Sequence, residues 1–291
     1  MANTIEKFKA YIVGLLDEVY KAASKTSVLD GAAELARAGA NADELIIPKI
    51  DMDGLADYDR SSGYTAGDVT FTNETVKCNF DRGRMFTVDN VDNMDTAGMA
   101  FGRLSGEFIR TKVVPELDAF RMATYAGTTG ISSESADLTT GEAVIRAISN
   151  AYDSMTNAEV PEEGRYLFIT PTLRGLIRDL DTTKSKEIVG KFTGVVEMPQ
   201  SRFYTAIAQL DGKTTGETAG GYKKADDGKN INFMIIEKSA VIQFPKHVAP
   251  KVVTPEQNQD ADAYKFGYRN VGIADTYENK VAGIYCHYAT V

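Results

Sequence analysis

The chain has 291 residues, 43% of them hydrophobic and 25% charged, so it can bury at least one core and is not a disordered polymer. Its formal net charge of −9 argues against a dedicated nucleic-acid binder, whose affinity comes mainly from Lys and Arg on phosphates. Two cysteines, Cys78 and Cys286, lie far apart and form no CxxC motif, so we expect free thiols in a reducing compartment.

Residues 5–22 carry the first clear pattern and are predicted to form an amphipathic helix. Apolar residues recur there at helical spacing: Ile5, Phe8, Ile12, Leu15, Leu16 and Val19. We expect this helix to pack on the body of the protein or on a neighbour. The short apolar run IVGLL is flanked by charge, which argues against a signal peptide and a membrane span, so we expect a chain made in the cytosol.

A long hairpin is predicted next. Residues 45–52 favour a strand, which Pro48 restricts to an edge or irregular position. The stretch 57–84, DYDRSSGYTAGDVTFTNETVKCNFDRGR, is typical of two extended runs joined by the small-residue turn SSGYTAG, and residues 85–89 close the second arm. Apolar residues change parity along that arm, which we interpret as a bulge near residues 73–75: Val69 and Phe71, then Val76, Cys78 and Phe80.

This hairpin has too few apolar residues to be stable alone, because an isolated two-stranded hairpin is marginal in water. It must lie on its own domain or on a neighbouring copy, and we favour an arm that reaches a neighbour. The candidates for intersubunit contact are side chains common at interfaces or able to bind carboxylates: Tyr58, Arg60, Tyr64, Lys77, Arg82 and Arg84.

Residues 92–126 are predicted to form one long helix, since apolar residues keep a helical stripe over this length. A helix of roughly 30 residues spans about 45 Å, which is more than one small core needs. Pro115 is expected to kink this helix or to divide it in two.

From about residue 131 the pattern mixes helices with strands, and the fold class is α+β. Thr139 or Thr140 is a candidate N-cap for a helix over residues 141–156. The Gly-, Thr- and Lys-rich segment 211–230 is expected to be a mobile surface loop. Shorter elements are a strand in RYLFITP, a helix in TLRGLIRDL, and strands in GVVEMP, NFMIIE, AVIQFP, AYKFGYRNVGIA and KVAGIYCHY.

Motifs for catalysis are absent or incomplete. Gly212-Lys213-Thr214 matches the end of a phosphate loop, but the first glycine of that motif is missing. His247 and His287 have no partner at metal-ligand spacing. Cys286 and His287 are neighbours on a predicted strand, where adjacent side chains point to opposite faces. We therefore expect no catalytic residue and no cofactor.

Acidic residues crowd the first arm of the hairpin, where they resemble a calcium loop only in part: Asp51, Asp53, Asp57 and Asp59. Leu55 occupies a position where such a loop needs a ligand. We expect no metal here, and we interpret the cluster as a self-repelling surface that meets something basic.

The order of these elements resembles the major capsid protein of tailed bacteriophages, the Hong Kong 97 fold. Long stretches are similar to the capsid proteins of phages and prophages of low-GC Gram-positive bacteria: IPKIDMDGLADYDRSSGY, DRGRMFTVD, EFIRTKVVPELDAFR, INFMIIEKSAVIQFPKH and NQDADAYKFGYRNVGIADTYENKVAGIY. The resemblance runs over nearly the whole chain and is weakest in the segment 211–230.

The resemblance implies a division of the chain. Residues 1–44 would be the N-terminal arm, and residues 45–89 an extended E-loop hairpin lying over an adjacent subunit. Residues 90–130 would belong to the peripheral domain with its spine helix, residues 131–236 to the axial domain, and residues 237–291 to the closing strands of the peripheral domain.

It further implies a structural protein of the virion and not an enzyme. Copies would form the hexamers and pentamers of an icosahedral shell, assembled in the bacterial cytoplasm around double-stranded DNA. The implied partners are the protein itself, a portal protein and the packaged DNA, which is bound without sequence specificity, and no membrane. An acidic shell suits that role because it does not grip phosphates.

Some relatives carry a scaffolding segment before the arm, but only about 44 residues precede the hairpin here, so we expect a separate scaffolding protein. Some relatives also crosslink a hairpin Lys to a distant Asn. Lys77 lies in the hairpin, but no partner for it is evident in the sequence. Three alternatives stay open: an encapsulin-like compartment shell, a hydrolase or other enzyme whose site leaves no linear motif, and a binding module with the hairpin folded inward.

Overall fold

Two main sheets and a long helix organise the protein in a computed structural model, which describes residues 23–31, 37–38, 44–90, 99–180 and 182–290. The helix predicted over residues 5–22 lies outside these ranges, as do residues 92–98 of the predicted long helix. Within the described ranges, no helix has both the length and the apolar character needed to cross a membrane.

The described strands, in chain order, are β1 (Arg37–Ala38), β2 (Glu44–Met52), β3 (Val69–Lys77), β4 (Phe80–Asp89), β5 (Ser132–Ser135), β6 (Arg165–Ile169), β7 (Gly194–Glu197), β8 (Ile207–Leu210), β9 (Gly221–Lys224), β10 (Ile231–Glu237), β11 (Val241–Val253), β12 (Ala263–Thr276) and β13 (Ile284–Tyr288). The described α-helices are α1 (Met99–Phe108), α2 (Val114–Ala126), α3 (Gly141–Asn157), α4 (Pro171–Leu180) and α5 (Thr183–Gly190).

The larger sheet has the strand order β5–β13–β10–β6–β7, and its three inner strands are buried on both faces. Its central strand β10 pairs antiparallel with β13 and β6, and β5 and β7 add in parallel at the edges. Alternate residues of β10 point to different cores, so Phe233 packs with α3 and α4 while Met234 packs with α2. The apolar run INFMIIE suits a strand buried on both sides.

The N-terminus of α3 confirms the predicted cap. Thr140 is extended, and its Oγ1 accepts a hydrogen bond from the main-chain N–H of Ala143 at 3.3 Å. This bond satisfies one of the amides that the first helical turn leaves without an internal partner.

The smaller main sheet has the order β11–β12–β4 and carries the long helix on one face. Phe80 of β4 and Phe266 of β12 pack against Ile109 and Leu117 of the helix, and all four side chains are buried. α1 and α2 are joined by a π-helical turn over Ile109–Val113, directly before Pro115. The disturbance predicted at Pro115 therefore takes the form of a π turn, since proline has no N–H to give a regular ladder.

The predicted bulge near residues 73–75 is wrong. β2 and β3 pair in one unbroken antiparallel register from Glu44 opposite Lys77 to Met52 opposite Val69. The change of parity arises within β3, because Val69 and Phe71 lie on one face of its outer half whereas Val76, on the opposite face, is buried at the base against Ile242 and Ile273. After β3 the chain leaves this sheet at Cys78 and Asn79 and continues as β4, which pairs with β12. Residues 85–89 thus belong to the smaller main sheet and do not close the arm of the hairpin.

The segment 211–230 is also more ordered than the predicted loop. β9 within it pairs antiparallel with β8, and we call this two-stranded element the ribbon, residues 207–224. The sequence gives little indication of β9, because this strand has only four residues and is surrounded by glycines, threonines and lysines, which are not typical of strands. Its partner β8 is equally short.

Candidate self-assembly surface

The outer half of the hairpin carries an apolar strip that no described residue covers. Ile50 lies opposite Phe71, and Met52 lies opposite Val69, so these four side chains share one face. Their exposed fractions are 55% for Ile50, 72% for Phe71, 66% for Met52 and 56% for Val69. We call these four residues the apolar strip.

The opposite face of the same strands is polar at this level. Asp51, Thr70 and Thr72 are exposed there. Nearer the body, Val76 is buried against Ile242 of β11 and Ile273 of β12, which anchors the base of the hairpin. The hairpin is therefore amphipathic along its free length, which is the pattern of a strand pair that packs on something through one face.

The tip of the hairpin adds further exposed apolar groups. Leu55 is fully exposed, and the rings of Tyr58 and Tyr64 meet edge to face with centroids 4.9 Å apart. Arg60 is exposed between them. Tyrosine rings bury a large area on a partner while losing little side-chain conformational entropy, so these two rings suit an interface.

Aspartates shape the tip through hydrogen bonds to nearby residues. Asp59 accepts hydrogen bonds from the N–H and Oγ of Ser61, both at 2.7 Å, and these bonds lower the pKa of Asp59. Asp53 Oδ2 accepts from the N–H of Asp68 at 2.8 Å, which closes the wide end of the loop. Gly63 sits at φ of +84°, a conformation that side chains rarely adopt.

The two predicted arginines lie on β4 and their donors are used within the chain. Arg82 Nε binds Glu116 Oε1 at 2.7 Å, and Arg82 Nη2 binds the carbonyls of Leu210 and Gly221. Arg84 binds the carbonyls of Thr218 and Ala219. Both guanidinium groups therefore hold the ribbon against β4, and Glu116 is a buried carboxyl whose pKa burial raises, with Arg82 offsetting part of the rise.

Lys77, the last residue of β3, is exposed at the base of the hairpin, opposite Glu44 in the register. The six predicted contact residues thus form three groups: the tip, the base and the arginine pair on β4. As intersubunit contacts they stay a prediction.

A wide cleft opens between β4, the long helix and the ribbon, and we call it the ribbon cleft. It encloses about 1060 Å³. Its apolar part includes Phe86, Leu104 and Phe108, and its exposed rim carries three lysines, Lys112, Lys223 and Lys224. None of these lysines forms an ion pair with a described residue. Sequence reasoning missed them, although the pair Lys223-Lys224 in a Gly- and Thr-rich segment was a visible signal.

A buried polar network fixes the segment before the hairpin. Asp118 of α2 is fully buried and accepts hydrogen bonds from Ser24 Oγ, from the N–H of Lys25, and from the N–H and Oγ1 of Thr26. Arg202 adds a charged donor to it at 3.2 Å. Residues 24–26 are thus tied to the long helix by several hydrogen bonds to one buried side chain.

The Cys286-His287 neighbours do not meet as a catalytic pair. Cys286 is buried in the core shared with α2, where burial raises the pKa of its thiol to about 12. His287 is buried on the other face, stacked on Phe233 at 4.9 Å, with Nδ1 3.1 Å from the Asn232 side-chain amide. No disulfide joins Cys78 to Cys286. Groups of three or more metal-ligating side chains do not occur among the described residues.

Neither a family model nor a curated protein matches the sequence. Solved structures do match the fold. A structure from Gordonia phage Cozz matches with a TM-score of 0.61 at 10% identity, covering 92% of this chain and 87% of that chain. The capsid structure of Staphylococcus phage Andhra matches with a TM-score of 0.55 at 12% identity, covering 89% and 84%.

A virus-like particle from Pyrococcus furiosus matches with a TM-score of 0.55 at 10% identity, covering 93% of this chain and 98% of that chain. At identities this low, the matches establish the fold alone. The matches confirm the α+β fold predicted from the sequence.

Proposed function

We propose that this chain, whose fold is the Hong Kong 97-like α+β fold, is the major capsid protein of a tailed bacteriophage. Its copies assemble into the hexamers and pentamers of an icosahedral shell that encloses a double-stranded DNA genome. The observation that carries the proposal is the apolar strip, four large side chains on an anchored hairpin that the described part of the chain leaves uncovered.

The energetics of the strip suit an assembly contact. Fully burying an aliphatic or aromatic side chain contributes about 1.5–3 kcal/mol, and these side chains are already part-buried. One hairpin therefore supplies a modest contact, and a shell gains its stability from the number of such contacts. A hairpin that leaves one copy to lie on the next is a head-to-tail contact, which forms closed rings when the rotation between copies allows it.

The division of the chain fits the same role. We assign residues 1–44 to an N-terminal arm, 45–89 to the E-loop, 90–130 and 237–291 to the peripheral domain, and 131–236 to the axial domain. The first described segment, fixed to α2 by Asp118, supports an arm attached to the peripheral domain. The pairing of β4 with β12 favours ending the mobile part of the E-loop at Lys77.

The proposed partners are the protein itself, a separate scaffolding protein, a portal protein and packaged DNA held without sequence specificity. Assembly takes place in the bacterial cytoplasm, and the mature protein resides in the virion. A host among low-GC Gram-positive bacteria is proposed from the sequence resemblance alone. The role is structural and not enzymatic.

The proposal predicts that a charge in the apolar strip blocks assembly without unfolding the subunit. Phe71→Lys places an ammonium group where a neighbour would bury a ring, while the isolated subunit leaves that position 72% exposed. We expect particles to fall at least tenfold by negative-stain electron microscopy of producing cells, where any scaffold is present. Thermal unfolding of the purified subunit should stay unchanged.

Thr72→Lys is the matched control, since Thr72 lies next to Phe71 on the exposed polar face. It should assemble normally. Equal loss in both variants, or normal particles from Phe71→Lys, would refute the assembly role of the strip.

A compartment shell that holds cargo protein instead of a genome is the second candidate. The likeness to a virus-like particle from Pyrococcus furiosus favours keeping it, because that structure covers 93% of this chain. The two candidates differ in the contents of purified particles. Nuclease-protected DNA of uniform length supports the phage shell, and a co-purifying enzyme without DNA supports the compartment.

A further inference from the structure

The ribbon cleft has a chemical character that differs from the rest of this acidic protein. Six basic residues line it against four acidic ones, so its local charge is about +2 in a chain of net charge −9. One of the four acids, Glu116, is already paired with Arg82. The three rim lysines are exposed and hold no ion pair with a described residue, so the cleft offers cations for an acidic occupant.

The hairpin tip has the complementary character. Residues 51–68 contain five aspartates and one arginine, which gives a net charge of −4. The same segment carries Leu55, Tyr58 and Tyr64, all exposed, and it continues into the apolar strip. The tip is therefore both acidic and apolar, and an acceptor for it must offer both cations and apolar side chains.

We propose that the hairpin of one copy docks in the ribbon cleft of the next copy, with the tip aspartates on Lys112, Lys223 and Lys224 and the tip rings on the apolar lining. This inference rests on the proposed function and specifies which surface of the neighbour receives the hairpin. Among the described residues, neither β2, β3 nor the connecting segment 53–68 lines the cleft of its own chain, so we assign the occupant to another copy.

The floor of the cleft supports an occupant with hydrogen-bond acceptors. Asn270 of β12 is 2% exposed, and its amide nitrogen has no hydrogen-bond partner among the described residues. It lines the cleft beside Arg82, which lies opposite it in the register of β4 and β12. A buried donor without a partner costs about 1–3 kcal/mol, and a carbonyl or carboxylate from a docked hairpin would supply one.

The test is a reciprocal charge exchange, scored by particle yield in producing cells. Lys223→Glu with Lys224→Glu should lower the yield at least tenfold, since acidic tips then meet an acidic rim. Asp57→Lys with Asp59→Lys should lower it similarly. Combining the two changes should restore particles to within about threefold of the wild type, because the attraction is re-formed with the signs exchanged.

Lys184→Glu with Lys238→Glu is the matched control, since both lysines are exposed and lie outside the cleft, and it should assemble normally. A combined variant no better than either pair alone would overturn the docking site, provided that each variant keeps the wild-type thermal unfolding temperature.

A second measurement covers variants that fail to fold. In a Cys78→Ser background, Ala66→Cys at the tip and Ala219→Cys in the lining of the cleft are placed in one chain, and assembled particles are treated with a short bismaleimide. Docking in the cleft predicts ladders of crosslinked subunits on denaturing gels, and each single cysteine variant should give none. Intact particles without ladders would overturn the docking site and leave the shell function standing. Absence of particles from the wild-type chain would overturn both.

Discussion

At the scale of single residues, Asp118 shows how the protein uses a buried charge. It accepts bonds from two main-chain amides, two hydroxyls and one guanidinium group, so both of its carboxylate oxygens are matched by donors. Four of these donors lie in residues 24–26, which makes this one side chain the attachment point for the segment that precedes the hairpin. Removing it would leave several buried donors without acceptors.

His287 gives the chain a titratable group whose stability effect has a definite sign. Burial lowers the pKa of His287, and Glu134 on the neighbouring strand offsets part of that change. Above the unfolded-state pKa of about 6.5 the ring is neutral in both states, and its contribution is complete. Below it the unfolded chain takes up a proton that the folded chain refuses, so stability falls with pH until the folded pKa is reached.

We therefore predict that stability falls more between about pH 7 and about pH 5 in the wild type than in His287→Gln, by about 1.4 kcal/mol for each unit by which the pKa is lowered. Urea unfolding of both proteins at both pH values measures this. Glu116 acts with the opposite sign, because its pKa is raised, but it is present in both proteins and cancels in the comparison. Parallel pH profiles would contradict the assignment to His287.

For single residues, the sequence predicted which side chains are exposed better than it predicted which groups they bind. Tyr58 and Tyr64 were expected to be exposed side chains at a hairpin tip, and both are. Arg82 and Arg84 were expected to bind carboxylates; Arg82 binds the carboxylate of Glu116 and two carbonyls, whereas the described partners of Arg84 are carbonyls, all in the same chain. The sequence does not show that β4 and the ribbon lie close together. It therefore could not tell whether these arginines bind their own chain or a neighbouring copy.

At the scale of elements, the ribbon depends on the arginines of β4. Arg84 holds the carbonyls of Thr218 and Ala219, and Arg82 holds those of Leu210 and Gly221. β8 and β9 pair with each other in a sheet of only two strands, which is marginal by itself. The ribbon thus remains in place because side chains from another sheet bind its connecting loop.

We predict that Arg84→Ala loosens this loop. Trypsin should then cleave after Lys213 roughly tenfold faster, because local opening exposes the loop while the main sheets keep their packing. Limited digestion followed by mass spectrometry measures the rate at that bond. Arg174→Ala, on α4 and away from the ribbon, should leave the rate unchanged, and an unchanged rate in Arg84→Ala would show that the loop is held by something else.

Elements with strong local signals were predictable, and those defined by distant pairing were not. Three elements follow from signals within a few residues of the chain. A threonine hydroxyl marks the cap at Thr140, an apolar run marks β6, and a proline marks the start of α4. The assignment of β4 failed because alternation shows which side chains share a face and does not show which strand lies alongside. The ribbon was not predicted because its two strands are short and one of them carries lysines, which are not typical of strands.

At the scale of the whole molecule, the net charge of −9 bears on the proposed contents of the shell. Proteins that bind DNA without specificity reach a Kd of about 10⁻⁴ to 10⁻⁶ M at physiological salt through basic surfaces. The basic residues of the ribbon cleft form a local exception, and the proposed docking would cover them.

We predict that purified subunits do not shift a DNA duplex in a gel assay at about 10 µM protein and physiological salt. Exchanging the tip aspartates, as in Asp57→Lys with Asp59→Lys, adds free cations and should increase any residual binding. A micromolar affinity in the wild type would contradict the view that the wall of the shell does not grip its genome.

The hairpin is continuous with β4 across only Cys78 and Asn79, and this continuity has a mechanical consequence. Asn79 bonds the main chain of Ala274 in both directions, so the junction is pinned to β12. A neighbour that pulls on the hairpin pulls β4 along its own axis, where ten residue pairs join it to β12. Because ladder bonds lie across the strands, they bear this tension together in shear and do not open one at a time. A shell under internal pressure would thus load its subunits in their most resistant direction.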